Sequence, residues 1–234
     1  MTEYFDEFPY DIVKEIDDNP DSANVHIYMT KVKNVFSMLD VKRGGRVLDI
    51  GCGTGYTSLR YPGFRDNGNE ITSMDLSKTE IQLAKKYVVG SGETRDFIIA
   101  NALYLPFKND SFDAAFCIYV LHHIKEHQKV LEEMTRVSKK ICCVEPNNIN
   151  PLQIIYQRTR LAKMRGDVKA FYLSGLKKDL KSVKMKNIKT RRILFTVPFF
   201  KGILLKFNLI IEPILEQIPL VNCICGSFVV YGEK

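Results

Sequence analysis

Over the first 146 residues, short apolar runs alternate with longer stretches of helical spacing. Residues 47–50 form a four-residue run that ends in glycines, 70–75 a second that ends in an acid, and 97–100 a third. The run at 114–121 is apolar apart from Tyr119, and 141–144 is a fifth. Continuous runs of this length predict parallel strands buried on both faces, because a crossover helix covers each side of such a sheet. Between them, 78–89 and 128–138 have helical spacing. Leu131, Met134 and Val137 recur every third position, while Glu132, Glu133 and Arg136 can stay wet. A further helix, 25–39, precedes the first run. The alternation predicts an α/β fold, a doubly wound sheet with right-handed crossovers.

After Pro146 the pattern changes. Asn150 and Pro151 suit the cap and first position of a helix that runs to about residue 164, with Gly166 as its stop. A basic helix over 173–184 and strands at 188–196 and 227–231 complete a seven-stranded, mostly parallel sheet whose last strand is antiparallel. Within 199–216, Lys201, Asn208, Glu212 and Glu216 share one narrow helical face, and the wide remainder is apolar except for Lys206. Pro213 would break or kink that helix. Three readings of it stand: domain core, a lid over an apolar substrate, or a surface that touches lipid.

The chain has 234 residues, 45% hydrophobic and 26% charged, which excludes disorder and allows one domain with elaborations. Six cysteines are too sparse for a disulfide scaffold, and the N-terminus lacks the basic and apolar regions of a signal peptide. The expected setting is reduced and cytoplasmic. No run reaches the roughly 18 uninterrupted apolar residues of a membrane span. The net charge of +7 is unevenly spread: residues 156–192 hold 13 Lys/Arg against two Asp, and the first 25 residues hold eight acids and one lysine. Either segment can face the other, a charged partner, or only water.

The most informative string is Asp49-Ile50-Gly51-Cys52-Gly53-Thr54-Gly55, which follows a strand and opens toward a helix. Glycines there permit a tight turn and let a ligand approach the backbone. A dinucleotide turn would want glycine at 56, where this chain has Tyr56. An acid at Asp49 also suits a cationic ligand better than a pyrophosphate. Asp75, at the end of the second strand, can accept both hydroxyl hydrogens of a ribose. After the third strand, Asn101 offers an amide and Ala102 and Leu103 offer backbone groups at the height of an adenine, which Leu76 can cover. Cys142 and Cys143 should point to opposite faces of a strand, and Cys223-x-Cys225 lacks a matching pair, so no metal site is expected.

Residues 47–55, Met74-Asp75-Leu76, 101–107 followed by Ser111-Phe112-Asp113, and Leu121-His122-His123-Ile124 resemble the ordered motifs of class I S-adenosylmethionine-dependent methyltransferases. The nearest likeness is to the small-molecule, type 11 branch that includes the quinone-biosynthesis enzymes. It covers about residues 25–146, with Glu145-Pro146-Asn147 and the last strand. The resemblance implies a Rossmann-like domain spanning 1–234, with a helical cap at 1–40 and a substrate-side elaboration at 150–225. It also implies S-adenosylmethionine as cofactor and S-adenosylhomocysteine as product. Asp49, Gly51, Cys52, Gly53 and Gly55 would hold the methionine part, and Asp75 the ribose. Asn101, Ala102, Leu103 and Leu76 would surround the adenine, and Cys117 and Tyr119 would border the transfer site. At 101 the branch usually has Asp, so an amide here keeps a hydrogen bond and loses a charge.

In-line displacement at a sulfonium methyl draws most of its acceleration from orientation, and needs a protein base only for a protonated acceptor. His122 and His123 follow the fourth strand at the ligand end and are the candidate catalytic residues; Glu145, at the end of the fifth, is the candidate substrate contact. A histidine satisfied by backbone is the competing reading of either imidazole. His127 reads as helix surface. The expected acceptor is a small or lipid-like molecule, with peripheral membrane contact open. The alternatives are an RNA or protein methyltransferase docking through 156–192, where the aromatics of a base-stacking platform are missing, and a cofactor-binding protein without turnover.

Overall fold

The computed structural model describes residues 13–14, 18–57, 68–91, 96–164 and 171–234. Helix α1 (Ala23–Leu39) begins where the Ser22 hydroxyl accepts from the Val25 N–H and ends at Asp40, whose φ is +43°. Strands β1 (Arg46–Ile50) and β2 (Glu70–Asp75) lead to α2 (Lys78–Ser91), β3 (Asp96–Ile99) and β4 (Phe112–Ile118). Helix α3 (His127–Val137) and β5 (Ser138–Pro146) follow. The late part comprises α4 (Pro151–Gln157), α5 (Arg160–Met164), α6 (Leu173–Ser182), β6 (Lys186–Ile193), α7 (Gly202–Leu215) and β7 (Ser227–Glu233).

These strands form one seven-stranded sheet in the order β3-β2-β1-β4-β5-β7-β6. β7 alone runs against its neighbours, which makes the sheet Rossmann-like, doubly wound and mostly parallel as expected. Side-chain alternation divides the core. Leu48, Ile50, Ala115 and Cys143 pack on the face covered by α3 and α6. Val47, Phe116, Cys142 and Val229 pack on the face covered by α1. Cys142 and Cys143 therefore do point to opposite faces.

The register levels the carboxyl ends of the central strands. Ile50 pairs with Met74 and with Cys117, Asp75 with Ile99, and Ile118 with Val144. The chain leaves β1 toward β2 on one side, and β4 lies on the other. This reversal of direction opens a crevice beyond the strand ends, where open α/β sheets bind ligands.

Five expectations need correction. The strand expected at 188–196 is β6, Lys186–Ile193, and residues 194–196 lie beyond it. The fourth strand stops at Ile118, not 121, because Tyr119 adopts φ +60° and Leu121–His123 is a 3₁₀ turn. The helix expected over 150–164 is two helices, α4 and α5, with Arg158 and Thr159 between them; Asn150 caps the first by accepting from the Leu152 and Gln153 N–H groups. The basic helix ends at Ser182 rather than 184. His127 is buried, with Nε2 3.1 Å from Asp179 Oδ2 and its ring against Phe171. The stop assigned to Gly166 lies outside the described residues.

Candidate active site

The turn after β1 is tied to the end of β2. The Gly51 and Cys52 N–H groups both donate to the Met74 carbonyl, at 2.8 and 2.9 Å. Gly51 has φ +70°, and a Cβ there would lie 2.3 Å from Val120 Cγ2, so neither the conformation nor the space admits a side chain. Gly53, at φ +53°, has open space instead: the nearest atom to an added Cβ is Glu80 Oε2 at 3.7 Å. Its N–H donates to Asp75 Oδ2 at 3.0 Å, while the Ser77 N–H donates to Asp75 Oδ1 at 2.9 Å. Asp75 is thereby oriented, with its carboxylate held at the cavity wall.

A cavity of about 1050 Å³ opens over this turn, and Gly51, Cys52, Gly53, Asp75, Leu76 and Glu80 line one end of it. Asp49 lies beneath, 3% exposed, and its Oδ2 has no hydrogen-bond partner among the described residues. Burial, and next the neighbouring Asp75 charge, push its carboxyl up to about 8 against an opposing hydrogen bond from Thr57. A buried carboxylate oxygen in this state is stabilised by a cation, and the open face at Gly53 leaves room for one to approach. Asp49, Asp75 and the glycine turn thus fit the ammonium, sulfonium and ribose of S-adenosylmethionine. Farther along, Ala100 and Ala102 line the wall, and Leu76 is half-exposed over it. Asn101 and Leu103 are not on the cavity surface; Asn101 Oδ1 accepts from the Leu103 N–H at 2.9 Å and shapes the turn.

The other end is built on the turn after β4. Glu145 is fully buried. Its Oε1 accepts from the Val120 and Leu121 N–H groups, at 3.2 and 2.8 Å, and its Oε2 lies 2.7 Å from His122 Nδ1. A carboxylate only accepts, so Nδ1 carries the hydrogen of this contact. His122 and His123 both line the cavity, with ring centroids 4.0 Å apart. Tyr119 lines it too, its hydroxyl 2.5 Å from Ser227 Oγ.

Besides Asn101 and Leu103, four expected contacts are absent from the cavity surface: Asp49, beneath the turn, Gly55, where an added Cβ would meet Phe97 and Ala84, and Glu145 and Cys117. Glu145 is spent on His122 and the turn, and Cys117 is fully buried in the core face of β4. Alternation along β4 explains Cys117, which shares its face with Ala115. Conversely, α1 supplies groups that strand-end reasoning missed. Lys31 is 6% exposed, lines the cavity and places Nζ 3.4 Å from the Tyr119 ring centroid. Burial pushes its ammonium down to about 7, partly opposed by the Glu145 charge. A lysine on the face that also carries Val32 and Val35 was the available signal. The far rim comes from α4 and from the stretch after β6, which contribute Leu152, Ile155, Val197 and Phe199.

Strand order, glycine turn and cleft define the class: this is a Rossmann-like α/β domain with a ligand crevice at the carboxyl ends of its strands. Residues 48–141 match the family model described as a methyltransferase domain. Over 153 residues the chain is 29% identical to a demethylmenaquinone methyltransferase of Bacillus cytotoxicus, a match that covers 62% of this chain and 65% of the relative, just under two thirds of its length. Among solved structures, a SAM-dependent methyltransferase of Thermotoga maritima matches with a TM-score of 0.63 and 17% identity, covering all of both chains. The cyclase SpnF matches with a TM-score of 0.62 and 20% identity, over 88% of this chain and 80% of its own. At these identities the two structures speak to the fold.

Proposed function

We propose that this chain is an enzyme that transfers a methyl group from S-adenosylmethionine to a small-molecule or lipid-like acceptor and releases S-adenosylhomocysteine. The observation that carries the reading is the buried Oδ2 of Asp49, without a hydrogen-bond partner among the described residues, beneath a glycine turn whose neighbour Asp75 is held at the cavity wall by the Gly53 and Ser77 N–H groups. When bound, the cofactor supplies an electrophilic methyl group on a sulfonium. The protein's part is to orient, to shield and to manage protons. Asp49 and the turn hold the cationic end, Asp75 holds the ribose hydroxyls, and Leu76, Ala102 and the neighbouring Asn101–Leu103 turn enclose the adenine.

At the acceptor end, Glu145 acts as a positioning residue. It holds the His122 ring through Nδ1 at the cavity wall, with His123 alongside, where an imidazole can meet the proton of a hydroxyl acceptor. Lys31 is a second group able to take a proton near neutral pH. A demethylmenaquinone methyltransferase among the relatives supports a lipid-like acceptor, and the apolar rim at Leu152, Ile155 and Phe199 agrees with it. We read residues 1–234 as one domain, with 1–40 as a cap and 150–225 as the substrate-side elaboration, and its setting as cytoplasmic, consistent with six free thiols.

Calorimetry with S-adenosylmethionine and S-adenosylhomocysteine, followed by labelled-methyl transfer in cell extract with mass spectrometric identification of the product, tests this reading. Binding followed by a labelled small molecule or lipid is the expected result. Label in RNA or protein would move the acceptor class. Binding without any labelled product would instead match a fold that also houses a cyclase.

A further inference from the structure

Helix α7 is inside out. In a globular protein the apolar stripe of a surface helix faces the core. Here the polar stripe does. Asn208 and Glu212 are buried, and Glu212 Oε1 accepts from the Phe195 and Thr196 N–H groups, both at 2.6 Å, and from Thr196 Oγ1 at 2.8 Å. Glu212 Oε2 lies 2.6 Å from His26 Nε2 on α1. Asn208 donates to Thr196 Oγ1 at 2.7 Å, and Glu216, just past the helix, accepts from the Leu194 N–H at 2.8 Å. These bonds fix the roll of the helix. The domain-core reading therefore holds for Leu205, which is buried beside Asn208 and Glu212, and fails for the outward part of the apolar side.

The roll turns Ile203, Phe207, Ile210 and Ile214 outward as one stripe, 87%, 59%, 71% and 59% exposed. Phe199 and Leu220 extend it at either end, 67% and 87% exposed. Of the charged side chains in 199–216, the two acids are turned inward, and the two exposed ones are Lys201 and Lys206. An apolar stripe flanked only by lysines is the chemistry of a helix lying in an anionic lipid interface. A second copy of the chain docked about a two-fold axis would set the same lysines against their own images.

The stripe is continuous with the cleft. Phe199 and Pro198 line the cavity that holds Asp75 and His122, and the exposed Leu152 and Ile155 of α4 line the same mouth. Arg158 and Arg160, just beyond α4, are exposed and basic as well. We propose that the outward face of α7, with the mouth residues Phe199, Leu152 and Ile155, docks this protein on an anionic bilayer surface so that the cleft opens toward the lipid. Docking itself needs no turnover. Only its purpose, delivery of a lipid-like acceptor, rests on the methyltransferase reading.

The test is co-sedimentation of the full chain with phosphatidylcholine vesicles and with phosphatidylcholine vesicles containing phosphatidylglycerol. The comparison variants are Phe207→Glu/Ile210→Glu and Lys201→Glu/Lys206→Glu, none of which lines the cleft. The wild type should pellet with the anionic vesicles. The first variant should lose at least tenfold in partitioning at unchanged S-adenosylmethionine affinity, and the second should lose the preference for anionic lipid. Wild type that stays in solution with anionic vesicles at low salt, or variants that partition as the wild type does, would overturn the proposal. So would a lipid-independent dimer that Phe207→Glu/Ile210→Glu dissolves, because the face would then be a subunit interface. Absence of cofactor binding alongside intact, variant-sensitive vesicle binding would strike the methyltransferase reading and leave the docking surface standing.

Discussion

Two buried carboxylates in this molecule sit in opposite circumstances. Glu212, on α7, is 4% exposed; burial alone would raise its carboxyl, yet hydrogen bonds from His26, Thr196 and two backbone N–H groups hold it below the ordinary value. Asp49, under the glycine turn, is 3% exposed and pushed up to about 8. The first is a finished interaction. The second is an unfinished one, and a buried polar atom left without a partner in a well-packed domain is what a binding site looks like before its ligand arrives. Burial is the same in both cases; the supply of donors decides which carboxylate is structural and which is poised.

The largest effect should come from cutting the finished interaction. Glu212→Ala leaves the Phe195 and Thr196 N–H groups, the Thr196 hydroxyl and His26 without their acceptor. Breaking a buried charged network from one side costs about 3 to 5 kcal/mol. Urea denaturation should show that loss, with S-adenosylmethionine affinity per folded molecule little changed. A loss below about 1 kcal/mol would mean that the roll of α7 is set by something other than this carboxylate.

Asp49→Asn should do the reverse. Removing a charge-assisted contact is worth about 1.5 to 3 kcal/mol, so cofactor affinity by calorimetry should fall on the order of tenfold to a hundredfold. Stability without cofactor should hold or rise, since the substitution removes a carboxyl whose ionisation burial opposes. A variant that loses stability and keeps affinity would reverse the roles assigned to the two acids. Asp75→Ala should weaken the cofactor by roughly tenfold, the worth of about one net hydrogen bond or two, and unchanged affinity would reject Asp75 as the ribose acceptor.

The two regions also differ in how far they could be read from residues alone. The cofactor end is local: a strand end, three glycines and a second strand ending in acid lie within short stretches of chain, and pairing of β1 with β2 brings them together. Glu145 and Cys117 were legible as strand positions but not as directions. The left-handed Tyr119 swings the turn so that Glu145 meets His122, and β4 is apolar on both faces, so nothing in its pattern marks Cys117 as core rather than cleft. Lys31 reaches the cavity only through the docking of α1, a tertiary fact. On α7 the two stripes were plain, but which faces inward was not. The deciding element lies outside the helix: the chain leaving β6 carries the Leu194, Phe195 and Thr196 N–H groups off the sheet, and Glu216 and Glu212 are what satisfy them.

The last prediction isolates Asp49 by its pH dependence. Its carboxyl titrates at about 8 in the folded chain against an ordinary value of 3.8, so between those values the folded state binds more protons than the unfolded one. Stability therefore falls as pH rises through this window, by at most about 1.4 kcal/mol per pH unit, and levels off above about 8. Cofactor affinity runs the other way: the contact needs the ionised form, so affinity should climb from pH 6 to 8 and then flatten. Denaturation midpoints of wild type and Asp49→Asn, measured at pH 5, 6, 7 and 8 without cofactor, should diverge steadily in favour of the variant. Adding saturating S-adenosylmethionine should cancel the divergence in slope, because a bound cation keeps Asp49 charged at every pH tested. Parallel midpoints in the absence of cofactor would show that Asp49 is already satisfied in the folded chain, and the contrast with Glu212 would disappear.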